Sequence, residues 1–121
     1  MLLVDTSVWI DHLNHGDAAL SAALQQRIVL VHPFVTGELA LGNLRNRSLI
    51  DDLRNLPAAR VADDDEVHEM IERQRLFGLG IGYVDAHLLA STLLTANAKL
   101  WSRDKRPRAV ADVLGCAATA E

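Results

Sequence analysis

The order of apolar and polar positions divides the chain into alternating extended and helical segments. Leu2, Leu3 and Val4 form a short apolar run that stops at Asp5, and Thr6 or Ser7 then offers a cap to an amphipathic stretch carrying Val8, Trp9 and Leu13. The pattern predicts a strand followed by a helix. Gly16 interrupts that helix, Asp17 caps a second helical piece through residue 26, and the β-branched run 27–31 predicts a second strand. Pro33 opens a helix to about residue 43, at a position where its missing N–H costs little, and Ser48 caps another through residue 56 before Pro57 stops it. A short strand is expected over 60–62. The acidic run 63–66 crowds the positive end of the next helix, on which Val67, Met70, Ile71, Gln74 and Phe77 recur at helical spacing with one interruption. Gly78, Gly80 and Gly82 make a flexible approach to a helix over about 83–97. A strand over 99–102, a loop over 103–107 and a last helix over 108–114, ended by Gly115, complete the chain.

Strands alternating with helices imply an α/β fold with a mainly parallel sheet covered on both faces. At 121 residues the chain is the size of one domain, 1–121, and with half its residues apolar it can bury a proper core, which excludes global disorder. Cys116 is the only cysteine and the opening lacks a basic segment followed by a long apolar run, so a secreted disulfide scaffold is excluded and a cytoplasmic protein is expected. The longest uncharged stretch, 88–98, falls short of the roughly 20 residues that span a bilayer, so no membrane association is expected. The formal net charge of -4 argues against binding nucleic acid through bulk charge. A local basic site is still open, because four of the twelve Lys and Arg residues lie between positions 103 and 108.

Four acids stand out. In open α/β sheets, ligands bind beyond the carboxyl ends of the strands. Asp5 and Asp104 each follow a predicted strand at such an exit. Glu38 falls on the helix face of Val35, Leu39 and Gly42, where a carboxylate needs a cation, a basic partner or a polar cleft. Asp85 lies in the first turn of its helix, just after the glycines and beside the small residues Ala86 and Ala90. Each acid alone also fits a turn or a cap. Together at one end of a parallel sheet they would repel strongly unless a divalent cation neutralised them. An all-oxygen donor set with no matched Cys or His favours Mg²⁺ or Mn²⁺ over Zn²⁺.

The opening Leu-Val-Asp-Thr-Ser-Val-Trp-Ile-Asp-His-Leu, the Glu38 segment Val-Thr-Gly-Glu-Leu, the Asp85 segment Gly-Tyr-Val-Asp-Ala-His-Leu-Leu-Ala and the Asp104 segment Leu-Trp-Ser-Arg-Asp-Lys-Arg resemble PIN-domain ribonucleases. The likeness covers almost the whole chain in the right order, and is specifically to VapC-type toxins of bacterial toxin-antitoxin pairs. It implies a Rossmann-like, three-layer PIN fold and a Mg²⁺- or Mn²⁺-dependent endoribonuclease. It also implies a homodimer held inactive by a small cognate antitoxin. Position by position, Asp5, Glu38, Asp85 and Asp104 carry over as the catalytic, metal-binding acids. Thr6 supports the first of them, and Ser102 supplies the hydroxyl that often stands two positions before the fourth, as Thr in many relatives. Asp5 and Asp85 are expected as direct ligands, Asp104 assists, and Glu38 binds metal or orients a water that attacks the RNA backbone phosphorus.

Arg103, Lys105 and Arg106 are expected to hold RNA phosphates beside Asp104. Asp5→Asn and Asp85→Asn are each expected to abolish cleavage and leave the fold intact or slightly more stable, by relieving repulsion. Other signals carry less. Gly78-x-Gly80-x-Gly82 lacks the spacing of a phosphate-binding fingerprint, His12 and His15 lack further zinc ligands, and Trp9 and Trp101 read as core or partner-contacting aromatics. A Mg²⁺-binding signalling receiver domain is a rival, but it would need adjacent acids after the first strand, where Asp5-Thr6-Ser7 stands. A catalytically inactive PIN binding module is the other.

Overall fold

Leu2–Val4 forms the central strand, β1, of a parallel sheet in the computed structural model, which describes residues 1–119. Leu3 and Val4 are completely buried, and an apolar strand buried on both faces must lie between helical layers. Strands β2 (Val29–Leu30) and β3 (Lys99–Trp101) flank it in the order β2-β1-β3, with Leu3 opposite both Leu30 and Leu100. Single parallel bridges, Val31 to Ala58 and Leu100 to Ala117, widen the sheet by one residue pair at each edge.

Among the described residues seven helices surround the strands: α1 (Thr6–His15), α2 (Ala18–Gln25), α3 (Pro33–Leu41), α4 (Leu49–Arg54), α5 (Asp64–Arg73), α6 (Tyr83–Leu94) and α7 (Lys105–Val113). Asp17 caps α2 by accepting the Leu20 N–H at 2.9 Å, and Asp63 and Glu66 close a reciprocal capping box on α5. The deepest helix is α6, which buries every residue from Ala86 to Thr92. Trp9 and Trp101 both lie in the core.

The structure departs from the sequence pattern at five places. The cap of α1 is Asp5, not Thr6 or Ser7. Ser48 precedes α4 but donates to Asn46 Oδ1 at 2.8 Å instead of capping the helix. No strand forms over 60–62. The Val31 N–H and C=O instead bond the Pro57 C=O and the Ala59 N–H, both at 2.9 Å, so the edge pairing is complete before Arg60. Helix α5 ends at Arg73 because Arg75 adopts a left-handed backbone (φ 55), and Phe77, taken off the apolar stripe, is 55% exposed. Finally, α7 begins at Lys105, and Pro107 sits inside its first turn, where no intrahelical donor is required. The basic residues after Asp104 therefore stand on a helix N-terminus and not on a loop.

One buried polar link crosses the core. His32, with no exposed surface, accepts the Phe34 N–H on Nδ1 at 3.1 Å, and its Nε2 lies 3.0 Å from Ser91 Oγ, which also accepts the Ala62 N–H. Burial, and secondarily the neighbouring His87, pushes the His32 imidazole down to about 4. The unfolded chain protonates this residue near 6.5, so between the two values only the unfolded state gains the proton and stability falls with acidification. The His32 contribution should be complete above pH 6.5 and fall by about 1.4 kcal/mol per pH unit below it. Urea denaturation of wild type and His32→Gln from pH 7.5 to 5 checks this. The variant should be less stable at pH 7.5 and show a shallower pH slope, and equal slopes would refute the assignment.

Candidate active site

Two strands deliver their following residues to the same end of the sheet. Asp5 leaves β1 and Asp104 leaves β3, and the Asp5 N–H still bonds the Trp101 C=O at 2.9 Å, which fixes the two exits side by side. Asp5 is 4% exposed, and its carboxylate is fully engaged. Oδ1 accepts the Thr6 N–H at 2.8 Å, while Oδ2 accepts the hydroxyls of Ser102 at 2.7 Å and Ser7 at 3.1 Å. Those hydroxyls in turn accept consecutive backbone donors: Arg103 N–H reaches Ser7 Oγ at 3.0 Å and Asp104 N–H reaches Ser102 Oγ at 3.1 Å. The Asp104 carboxylate itself is exposed and makes no capping bond to α7, which leaves it available.

Glu38 approaches from α3. Thr6 Oγ1 donates to its Oε1 at 2.6 Å, joining the first turn of α1 to α3. Glu38 is not on the buried stripe its spacing implied: α3 turns Val35 and Leu39 inward and leaves Glu38 exposed at the rim. There it borders an open groove of about 530 Å³ whose apolar lining includes Ile10, Leu13, Leu39, Leu44 and Leu49.

Asp85 completes the set from the first turn of α6. It is partly buried, and its one hydrogen bond, from the Gly82 N–H, is long at 3.3 Å. Burial raises its carboxyl above the usual range, and the negative charges of Asp5, Asp104 and Glu38 raise it further against the lowering by Gly82. The four acids thus share one electrostatic neighbourhood. Among the described residues no three His, Cys, Asp or Glu side chains converge on a metal-holding point. The chemistry of the donor set fits a hard divalent cation: every donor is an oxygen, and Asp85 is desolvated without compensating positive charge.

The basic residues divide. Lys105 and Arg106 are exposed on the first turn of α7, with Arg106 Nη1 donating to the Gly80 C=O at 3.3 Å. Arg103 is turned away, donating through Nη1 to Asp11 Oδ2 at 2.7 Å and through Nη2 to Asp17 Oδ2. The sequence reading missed Ser7 as a site residue and Asp11 and Asp17 as partners of Arg103. For Ser7 a signal exists in the chain: a hydroxyl two positions after Asp5 mirrors the one two positions before Asp104.

The family model of the PIN domain matches residues 2–113. Ribonuclease VapC32 of Mycobacterium tuberculosis strain CDC 1551 / Oshkosh is 46% identical to this chain over 122 residues, covering 100% of this chain and 98% of the relative. Ribonuclease VapC32 of strain ATCC 25618 / H37Rv matches with the same identity and coverage.

The different surroundings of Asp5 and Asp85 predict opposite responses to one substitution. Asp5→Asn cannot accept all three donors, and each lost bond to a buried charged group is costly, so it should destabilise by about 1–3 kcal/mol. This replaces the sequence-based expectation for Asp5. Asp85→Asn keeps an acceptor for Gly82 and removes an uncompensated charge, so it should stabilise by up to about 1 kcal/mol. Denaturant melts of both variants at pH 7.5 without divalent ions check the signs.

Proposed function

The chain belongs to the PIN-domain family, and from that premise we propose that it is a Mg²⁺- or Mn²⁺-dependent endoribonuclease acting as the toxin of a toxin-antitoxin pair. Family membership replaces the receiver-domain reading. The observation that carries the proposal is the gathering of Asp5, Glu38, Asp85 and Asp104 in one electrostatic neighbourhood at one end of a parallel sheet, where burial and the other three acids push the Asp85 carboxyl up. The ribonuclease activity named for the 46% identical relatives supports the choice of substrate.

In this reading Asp5 and Asp85 hold the cation, Asp104 assists, and Glu38 binds it or orients the attacking water. When bound, the ion supplies Lewis acidity toward the phosphoryl oxygens and makes a water at the site more acidic. Ser7 and Ser102 keep the Asp5 carboxylate in one orientation by donating to Oδ2, and Thr6 does the same for Glu38. Lys105 and Arg106 bind the RNA backbone. Their placement favours that role, because cations in the first turn of a helix oppose its macrodipole and contribute nothing there to helix stability. The protein acts in the cytoplasm as a homodimer, inhibited by its cognate antitoxin. Among the described residues no helix is long and apolar enough to cross a membrane.

Purified chain, freed of any partner, should cleave RNA internally with Mg²⁺ or Mn²⁺ and lose that activity in excess chelator. Undiminished cleavage with chelator would defeat the proposal, and RNA binding without cleavage would make the chain an inactive binding module. Asp85→Asn should lower cleavage at least a hundredfold while melting no earlier than wild type.

Lys105→Ala and Arg106→Ala, each on the Asp85→Asn background to prevent cleavage, should weaken RNA binding. Each should also reduce the slope of log affinity against log salt by roughly 0.7 per lost phosphate contact. A salt titration reads this directly, and an unchanged slope would remove the residue from the RNA-binding surface.

A further inference from the structure

Arg103 sits between two of the residues assigned to the site, Ser102 and Asp104, yet its side chain faces neither the acids nor solvent alone. Its two terminal nitrogens reach Asp11 on α1 and Asp17 at the cap of α2, positions 92 and 86 residues earlier in the chain. Its guanidinium also lies 5.9 Å from the ring centre of the buried Trp101. We infer that Arg103 is a positioning residue of the ribonuclease site, whose bridge to Asp11 and Asp17 clamps the turn after β3 onto α1 and α2 and so fixes where Asp104 stands.

Three features carry this. First, Asp104 has no side-chain bond of its own to hold it, so its place is set by the backbone of residues 103 and 104. That backbone hangs on two serine hydroxyls, each a single bond, and the Arg103 side chain is the third tether and the longest-reaching one. Second, the anchor is stiff. The Asp17 side chain is 14% exposed, its Oδ1 is held by the Leu20 N–H and its own N–H by His12 Nδ1 at 3.0 Å, so it cannot follow a drifting turn. The arginine fork is divided between two carboxylates, so the bridge is directional, and its firm end is Asp17, since the Asp11 side chain is half exposed. The Arg103 hydrogen bond correspondingly holds the Asp17 carboxyl below its usual range. Third, Arg103 with Asp11 and Asp17 carries a formal charge of -1, since one cation meets two carboxylates. A group with that sum repels a phosphate, which takes Arg103 out of the RNA-binding role its neighbours Lys105 and Arg106 keep.

The inference rests on the reading of Asp104 as a site acid, and the experiment separates the two. Steady-state cleavage of a defined RNA with Mn²⁺ is measured for wild type, Arg103→Ala, Arg103→Lys, Asp17→Asn and the Arg103→Ala/Asp17→Asn double variant. Salt titrations of RNA binding are made in the Asp85→Asn background. Arg103→Ala should lower kcat by about tenfold to a hundredfold, as expected when a reacting group is misplaced, with KM within about twofold. The salt slope should not change. Asp17→Asn, which keeps the acceptor for Leu20, should reproduce part of the loss, and the double variant should be no worse than Arg103→Ala alone. Arg103→Lys should fall between, because one ammonium cannot bridge both carboxylates as the fork does. A salt slope reduced by roughly 0.7 with kcat unchanged would make Arg103 a phosphate contact and overturn the inference, and so would additive losses in the double variant. Should Arg103→Ala not fold, Arg103→Lys and Asp17→Asn decide by the same two readouts. An inactive wild type would defeat the ribonuclease reading, whereas an active wild type with unimpaired Arg103→Ala defeats only the clamp.

Discussion

Two consecutive backbone N–H groups, those of Arg103 and Asp104, hang on two hydroxyls, Ser7 and Ser102, and both hydroxyls donate to one oxygen of Asp5. A carboxylate that is 4% exposed would be costly without such partners, so folding selects the geometry in which all three donors reach it. That requirement reaches beyond the site. It sets where β1 stops and α1 starts, since Asp5 is also the α1 cap. It fixes β3 beside β1 past the last ladder bond, and it aims the chain into α7. Because the acid, its two hydroxyls and the two amides come from opposite ends of the sequence, the ring closes only once the parallel sheet has formed.

Asp85 is the counterpart of Asp5 in the opposite state. Both are aspartates in the same neighbourhood, but Asp5 accepts three bonds and Asp85 one long one. Asp5 is therefore an acid that the fold uses, and Asp85 an acid that the fold tolerates. Burial and the three other carboxylates press Asp85 toward its neutral form, and that pressure is what a bound cation would relieve. The site thus sets a carboxylate whose orientation the fold fixes beside one whose charge the fold leaves open. Thr6 and Glu38 lie on the fixed side, since their 2.6 Å bond ties α1 to α3 whether or not an ion is present.

What the sequence made legible was local. The Asp17 cap, Pro33 at the start of α3, the acidic box before α5 and the apolar strands each depend on residues within a few positions of one another. The acids stood out for other reasons, Asp5 and Asp104 by their place at strand exits, Asp85 by its place in a first helical turn, and Glu38 by the helix face it was read onto. Three of the misreadings share one cause, which is distance. Nothing near residues 60–62 tells that Pro57, Ala58 and Ala59 will already have met Val31. Nothing near Glu38 tells that α3 will rotate it to the rim beside Thr6. Arg103 reads as one of a basic group because its partners Asp11 and Asp17 stand at the far end of the chain. The start of α7 was hidden by Pro107, which marks a break in most patterns but is neutral in a first turn.

The glycines before Asp85 show how a feature that reads as flexibility becomes a fit. Gly80 has a φ of +79, and a Cβ there would lie 2.8 Å from Arg106 Nη1. Any side chain would meet both the backbone strain and the guanidinium. The close approach lets Arg106 donate to the Gly80 C=O, so the loop entering α6 is joined to the first turn of α7. The two elements joined are the one that carries Asp85 and the one that Asp104 precedes as cap residue. The frame built on Asp5 and the Arg103 bridge holds one side of the cleft, and the Arg106 contact spans the other. That second contact is a single exposed bond at 3.3 Å, longer than the bonds that hold Asp5, so the fold ties the Asp104 side of the cleft more firmly than the Asp85 side.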